Sequence, residues 1–165
     1  EITRRMFPLS ERKEDTFIGG LSMGGFGAMR NGLKYADTFG QIVALSPAMP
    51  VFEGGEEIFA GFLCEDPEKE WEQVKNSDAN PRWLVENFKG EKPGIYLACG
   101  KQDELFPSSE IFHGVLDKAG FEHHYVADAG NHDWDYWDRH IRLALDWLPL
   151  DERMGGLNSG NIKGE

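Results

Sequence analysis

Cysteine is scarce, basic residues are outnumbered and no apolar run is long; each shortage closes off a class of protein. Only Cys64 and Cys99 occur in 165 residues, with no Cys-x-x-Cys pair. A disulfide scaffold or cysteine-based metal site is not expected, and both thiols are read as idle. No apolar run approaches the ~20 residues that a membrane-spanning helix needs. Lys and Arg number 17 against 29 Asp and Glu, a formal net charge of −12. Such a surface repels phosphate backbones and anionic headgroups, so neither nucleic acid nor membrane is an expected partner. The excess keeps a chain soluble and says nothing about a substrate. There is no Gly-x-x-x-x-Gly-Lys loop to cradle phosphates, and no two histidines have the His-x-x-x-His spacing of a helical zinc site. No cofactor and no metal is expected. A secretory leader is not visible, but the first residue is Glu1 rather than Met, which leaves the compartment open.

Aromatic residues are not short: they make up 12% of the chain, within an apolar content of 40%. That is enough for one dense core, and residues 1–150 read as a single domain. Four short apolar or β-branched runs, 16–19, 41–45, 94–99 and 122–127, read as buried strands. Helix-period segments separate them, the rhythm of a parallel α/β sheet. A helix is predicted over 24–35, with Phe26, Met29, Arg30 and Leu33 on adjoining positions. Another runs from a Ser108 or Ser109 cap to about Ala119, with Ile111, Val115 and Leu116 inward. The longest spans 134–148 and places Trp137, Ile141, Ala144, Leu145 and Leu148 on one face before Pro149. Between the second and third strands, 47–93 is too long for a simple connection and is read as an insertion. Helical pieces are expected there at 68–74 and 81–88, the second started by Asn80-Pro81. The Gly- and Asn-rich tail, 151–165, is expected to be loosely ordered.

The strongest local signal is Gly20-Leu21-Ser22-Met23-Gly24. A Gly-x-Ser-x-Gly pattern is short, so its context decides. Here a strand precedes it and a helix follows. At so sharp a strand-to-helix turn, Ser22 sits in strained backbone and only tiny residues fit two places before and after it. The turn lifts the hydroxyl off the sheet as a nucleophile. It also puts the Met23 N–H at a helix N-terminus, where a developing oxyanion is stabilised.

A serine hydroxyl needs a base, and the base needs an orienting carboxylate. Behind such an elbow the chain order is Ser, then Asp or Glu, then His, each on a loop after a strand. Of five histidines, His123 and His124 lie in a strand, one facing its cover and the other outward. His113 and His140 lie in helices and read as surface or packing residues. His132 follows the last strand directly and is the expected base. Asp103, three residues past the strand-ending Gly100, is the expected orienter; Glu104 beside it competes. Asp133 and Asp135 fit a helix's first turn better than a metal cluster with His132.

In order, these stretches resemble the esterase D-like branch of the α/β-hydrolases, which includes tributyrin esterases, S-formylglutathione hydrolases and feruloyl or acetyl-xylan esterases. The matching segments are Phe17 to Ala28, Cys99 to Asp103, and Gly130-Asn131-His132-Asp133-Trp134-Asp135-Tyr136-Trp137. The last is most similar to the tributyrin-esterase group. The resemblance implies an α/β-hydrolase-type sheet flanked by helices, with Ser22 as nucleophile, Asp103 as acid, His132 as base and Met23 as an oxyanion amide. It implies a small-molecule ester substrate with a short-chain or aromatic acyl group, and pocket walls from the insertion, Phe106 and Trp134. Thioester hydrolysis, or deacylation of sugars, is the alternative chemistry. Family members have further strands ahead of the elbow strand, carrying a second oxyanion donor. The chain is therefore expected to associate with such strands, or to form a homodimer along the exposed edge. A fragment without catalysis of its own is the remaining alternative.

Overall fold

The computed structural model describes residues 6–7, 10, 12–49 and 64–150. The tail 151–165 and the part of the insertion at 50–63 lie outside the described residues. Four parallel strands form the sheet in chain order, β1 (Phe17–Leu21), β2 (Gln41–Leu45), β3 (Gly94–Gly100) and β4 (His123–Asp128). A single 3-10 turn, Lys13–Asp15, leads into β1. The helices are α1 (Met23–Lys34), α2 (Pro67–Lys75), α3 (Pro81–Glu86), α4 (Phe106–Lys118) and α5 (Trp134–Trp147).

Period-2 alternation in β2 and β3 sorts the core into two halves. Ile42, Ala44, Ile95 and Leu97 point to one face, where they meet Ala28, Met29 and Leu33 of α1, Val85 of α3 and Phe112 and Leu116 of α4. Val43, Leu45, Tyr96 and Ala98 point to the other, against Tyr136, Trp137 and Ala144 of α5. Both faces are covered, so β2 and β3 read as unbroken apolar runs instead of alternating ones. Each fully buried side chain of this size contributes roughly 1.5–3 kcal/mol.

The helix starts follow local chemistry. Asn80 caps α3 by accepting from the Arg82 N–H at 3.0 Å, with Pro81 in the first turn. Asp133 caps α5 by accepting from the Tyr136 N–H at 2.9 Å. The described half of the long connection is tied down by Asp78. It receives the Arg30 guanidinium at 2.9 Å and the Lys34 ammonium at 2.5 Å, both from α1. No helix among the described residues is long and apolar enough to cross a membrane.

Three expectations need correction. α4 begins at Phe106 after Leu105, not at a serine cap; Ser108 instead donates back to the Leu105 carbonyl at 2.7 Å. On the same helix Ile111 is exposed, and Phe112 with Leu116 faces the core. On α5 the buried residues are Tyr136, Trp137, His140 and Ala144, whereas Leu145 is exposed. The helix is rotated because a buried polar residue, His140, finds partners: Asp128 Oδ1 at 3.1 Å and the Tyr96 hydroxyl at 3.4 Å. Both cysteines are free and buried, as the sequence suggested.

Burial holds the His140 pKa below the ordinary 6.5; Asp128 pulls it up and Arg139 pushes it further down. The unfolded chain therefore takes up a proton that the folded one refuses, and stability falls as pH drops below about 6.5. Urea midpoints measured stepwise from pH 8 to pH 5 are expected to show this decline, and His140→Gln is expected to flatten it. An identical slope in the variant would rule the account out.

Candidate active site

The site is built from three loops at the C-terminal ends of the strands. Ser22 stands between β1 and α1 with φ 53° and ψ −121°, a backbone region that L-residues avoid. Such strain costs on the order of 1–3 kcal/mol and persists only where neighbours enforce it. Here the Ser22 N–H donates to the Leu45 carbonyl at 2.9 Å. The Ser22 carbonyl accepts from Phe26 N–H at 3.1 Å and Ala48 N–H at 3.0 Å. Glycine is required at position 20, because a Cβ there would lie 2.2 Å from the Gly24 carbonyl oxygen. Gly24 itself does not bear out the expectation of a tight fit, since a Cβ on it would meet nothing within 4 Å. The close approach runs from residue 20 to the backbone of residue 24, not to a side-chain position there.

Asp103 follows β3, and its side chain has no exposed surface. Its Oδ1 accepts from the Leu105 N–H at 2.8 Å and its Oδ2 faces His132 Nδ1 at 2.9 Å. A buried carboxylate accepts only, so Nδ1 carries the proton and Nε2 keeps a lone pair. That Nε2 lies 3.0 Å from Ser22 Oγ, whose proton it accepts. Ser22, His132 and Asp103 thus form one chain of hydrogen bonds across 110 and 29 residues of sequence. Glu104 is exposed and takes no part in it.

The loops that carry Asp103 and His132 are laced to each other. Lys101 N–H donates to the Asp128 carbonyl at 2.8 Å and Gln102 N–H to the Gly130 carbonyl at 3.0 Å. The Gln102 side chain accepts from Gly130 N–H at 2.8 Å. A Cβ at residue 100 would meet the Gly130 oxygen at 2.2 Å, so a glycine must end β3. On its other side the His132 ring stands edge-to-face with Trp137, centroids 4.8 Å apart. Trp137 is anchored by its Nε1–H, which donates to the buried Ser46 Oγ at 3.2 Å. Gln102, Ser46 and Trp137 were missed as site residues. The signal was available for Ser46, which follows β2 at the same sheet end as the other loops.

Met23 is the first residue of α1, so its N–H has no carbonyl one turn back and is free to donate. Trp134 is 72% exposed and lines a cavity of about 400 Å3 with Leu21, Leu45, Trp137 and Ile141. Phe106 does not line it. It opens α4, whose Phe112 and Leu116 pack on the opposite face of the sheet from α5. None of the described residues of the insertion lines that cavity either.

With the elbow, the buried acid and the bridging histidine in one place, likeness to known proteins becomes informative. The family model described as "Putative esterase" matches residues 4–148. The chain belongs to this esterase family. It is 37% identical over 158 residues to an acetyl esterase of Caldicellulosiruptor saccharolyticus, covering 90% of this chain and 59% of that one. Among solved structures it is similar to an S-formylglutathione hydrolase (FrmB) of Staphylococcus aureus. That match has TM-score 0.74 and 27% identity, over 89% of this chain and 59% of the other. It is also similar to FphF, a fluorophosphonate-binding serine hydrolase of the same organism. There the TM-score is 0.73 and the identity 31%, over 91% and 60% of the two chains. The chain therefore spans about three fifths of the length of these relatives. The α/β-hydrolase fold and the esterase resemblance drawn from the motifs are both borne out.

Gly20→Ala is expected to displace the elbow, since the clash is with backbone that cannot rotate away. Thermal unfolding should show a loss of at least ~2 kcal/mol. Gly24→Ala is the control and should cost under ~1 kcal/mol, because it meets no neighbour. Equal losses in the two variants would contradict the stated geometry.

Proposed function

We propose that the chain is the catalytic part of a serine carboxylesterase acting on short-chain or aromatic acyl esters. One observation carries this reading: the unbroken chain from Ser22 Oγ through His132 to the buried Asp103. As the ester binds, Ser22 Oγ attacks the carbonyl carbon while its proton passes to His132 Nε2. The charge that develops on the carbonyl oxygen is met by the Met23 N–H at the helix N-terminus. Asp103 stabilises the imidazolium without accepting its proton. The tetrahedral adduct then expels the alcohol, which takes the proton from His132, and an acyl-Ser22 ester remains. Water, deprotonated by the same imidazole, attacks that ester and releases the acid. No cofactor is needed at any step.

Support for an ester substrate comes from the acetyl esterase relative. The apolar cavity beside Trp134 and Trp137 suits an acyl group of modest size, since ligand sites begin at roughly 300 Å3. A second reading, hydrolysis of a thioester such as S-formylglutathione, is favoured by the first of the two staphylococcal structures. Ratios of kcat/KM for p-nitrophenyl acetate and S-formylglutathione separate the two.

β1 is the last strand of the sheet on its side, with one edge unpaired among the described residues. We propose that this edge takes further strands, supplied by the rest of the sheet or by a second copy. The second oxyanion donor is expected to come with them, and each such donor contributes about 10²–10³-fold in rate.

Ser22→Ala is expected to lower p-nitrophenyl acetate hydrolysis by on the order of 10⁴-fold or more. A fluorophosphonate probe should label the parent protein at Ser22 and leave the variant unlabelled. Hydrolysis that survives in the alanine variant would end the assignment. An unlabelled but folded parent would instead favour a chain that is inactive until further strands join its β1 edge.

A further inference from the structure

Three ligand-bearing side chains meet at the opposite end of β4 from His132. His113 and Asp117 lie one turn apart on α4, and His123 opens β4. One ligand atom from each lies within 4.8 Å of the others. His113 Nδ1 is 2.7 Å from His123 Nε2, and His113 Nε2 is 3.5 Å from Asp117 Oδ2. His123 Nε2 is 3.9 Å from Asp117 Oδ1. With β4 six residues long, this cluster is about 20 Å from the catalytic end of the sheet.

The hydrogen bonds say which atoms are available. His123 Nδ1 lies 2.8 Å from the Phe121 carbonyl, which can only accept. Nδ1 therefore carries the proton, and the Nε2 lone pair is turned toward His113 and Asp117. A backbone carbonyl fixing the far nitrogen is the usual way in which a metal-binding imidazole is oriented. His113 then donates Nδ1–H to that lone pair. Its own Nε2 faces the Asp117 carboxylate at 3.5 Å. That carboxylate is met by a second imidazole proton or by a cation seated between the three side chains. The His113 ring plane is set by stacking on Tyr125, centroids 4.3 Å apart, and the Tyr125 hydroxyl donates to Glu110 at 2.6 Å.

We propose that His113, Asp117 and His123 bind a divalent transition-metal ion, with zinc as the reference. Two imidazoles and one carboxylate suit zinc, nickel or copper far better than magnesium or calcium. Water completes the tetrahedron on the open side, where the Asp117 side chain is 62% exposed. Metal–nitrogen bonds of about 2.0–2.1 Å put two ligand nitrogens about 3.4 Å apart, so the His113–His123 pair opens by about 0.7 Å. His113 provides that movement. Its side chain is 32% exposed against 4% for His123, and the ion replaces the proton on its Nδ1. The bound ion clasps the last turns of α4 to the first residue of β4. It takes no part in acyl transfer, so the proposal stands or falls apart from the esterase reading.

The test uses the full chain, stripped with a chelator and titrated with Zn2+ alone by calorimetry. A His132→Ala background removes the competing imidazole of the catalytic site. One equivalent of zinc is expected to bind in that background, raising the temperature of unfolding. His113→Ala and Asp117→Asn are each expected to weaken it at least tenfold. Co2+ in place of zinc should give the intense visible absorption of tetrahedral coordination, lost in His113→Ala. Asp117→Asn changes an exposed side chain, so it keeps the test decisive if the histidine variant does not fold. Failure of the His132→Ala protein to bind an equivalent of zinc would overturn the site, as would unchanged affinity in Asp117→Asn.

Discussion

Everything at the end of the sheet that carries the candidate site depends on one buried carboxylate being held where an imidazole can reach it. Asp103 has both oxygens engaged, one by the Leu105 N–H and one by His132, and no contact with solvent. That arrangement is only possible because β3 and β4 pair in parallel with Gly100 beside Asp128. The register brings the two following loops alongside each other, and three hydrogen bonds lace them together. A slip of one residue would turn every side chain of β4 to the wrong face and break the lacing. The geometry of the candidate site is thus a property of sheet pairing before it is a property of the three residues themselves.

Ser22 shows the complementary constraint. Its backbone is held in a conformation that costs energy by bonds to Leu45, Phe26 and Ala48. The strain is local, and the restraint comes from β2, the first turn of α1 and the start of the long connection. Trp137 adds a third support, since its bond to Ser46 fixes the wall against which His132 rests. Ser22, Asp103 and His132 each follow a different strand, β1, β3 and β4. A sheet with its loops on one side can supply such support, and a single helix cannot.

Much of this was legible in the sequence, for identifiable reasons. The four strands are continuous apolar runs bounded by turn residues, and the parallel sheet followed from their spacing. The three candidate positions sit directly after strands, and that placement separates His132 from the four histidines that lie within a strand or a helix. Legibility failed where a side chain's partner lies elsewhere in the fold. Periodicity placed Leu145 inside α5 and overlooked His140, because nothing in a helical pattern reveals that Asp128 and Tyr96 wait for an imidazole. The grouping of His113, Asp117 and His123 was invisible for a related reason. A search for paired histidines on one helix does not join a helix to the strand that follows it.

The two faces of the sheet differ in how much change they can absorb. One face is covered by α1, α3 and α4 packed against each other; the other carries α5, with a cavity left beside it. Replacements on the crowded face force neighbours out of position, so residues of equal volume are tolerated best there. On the α5 side a methylene group added toward the cavity meets open space, and Trp137, which lines it, passes any larger shift on to His132.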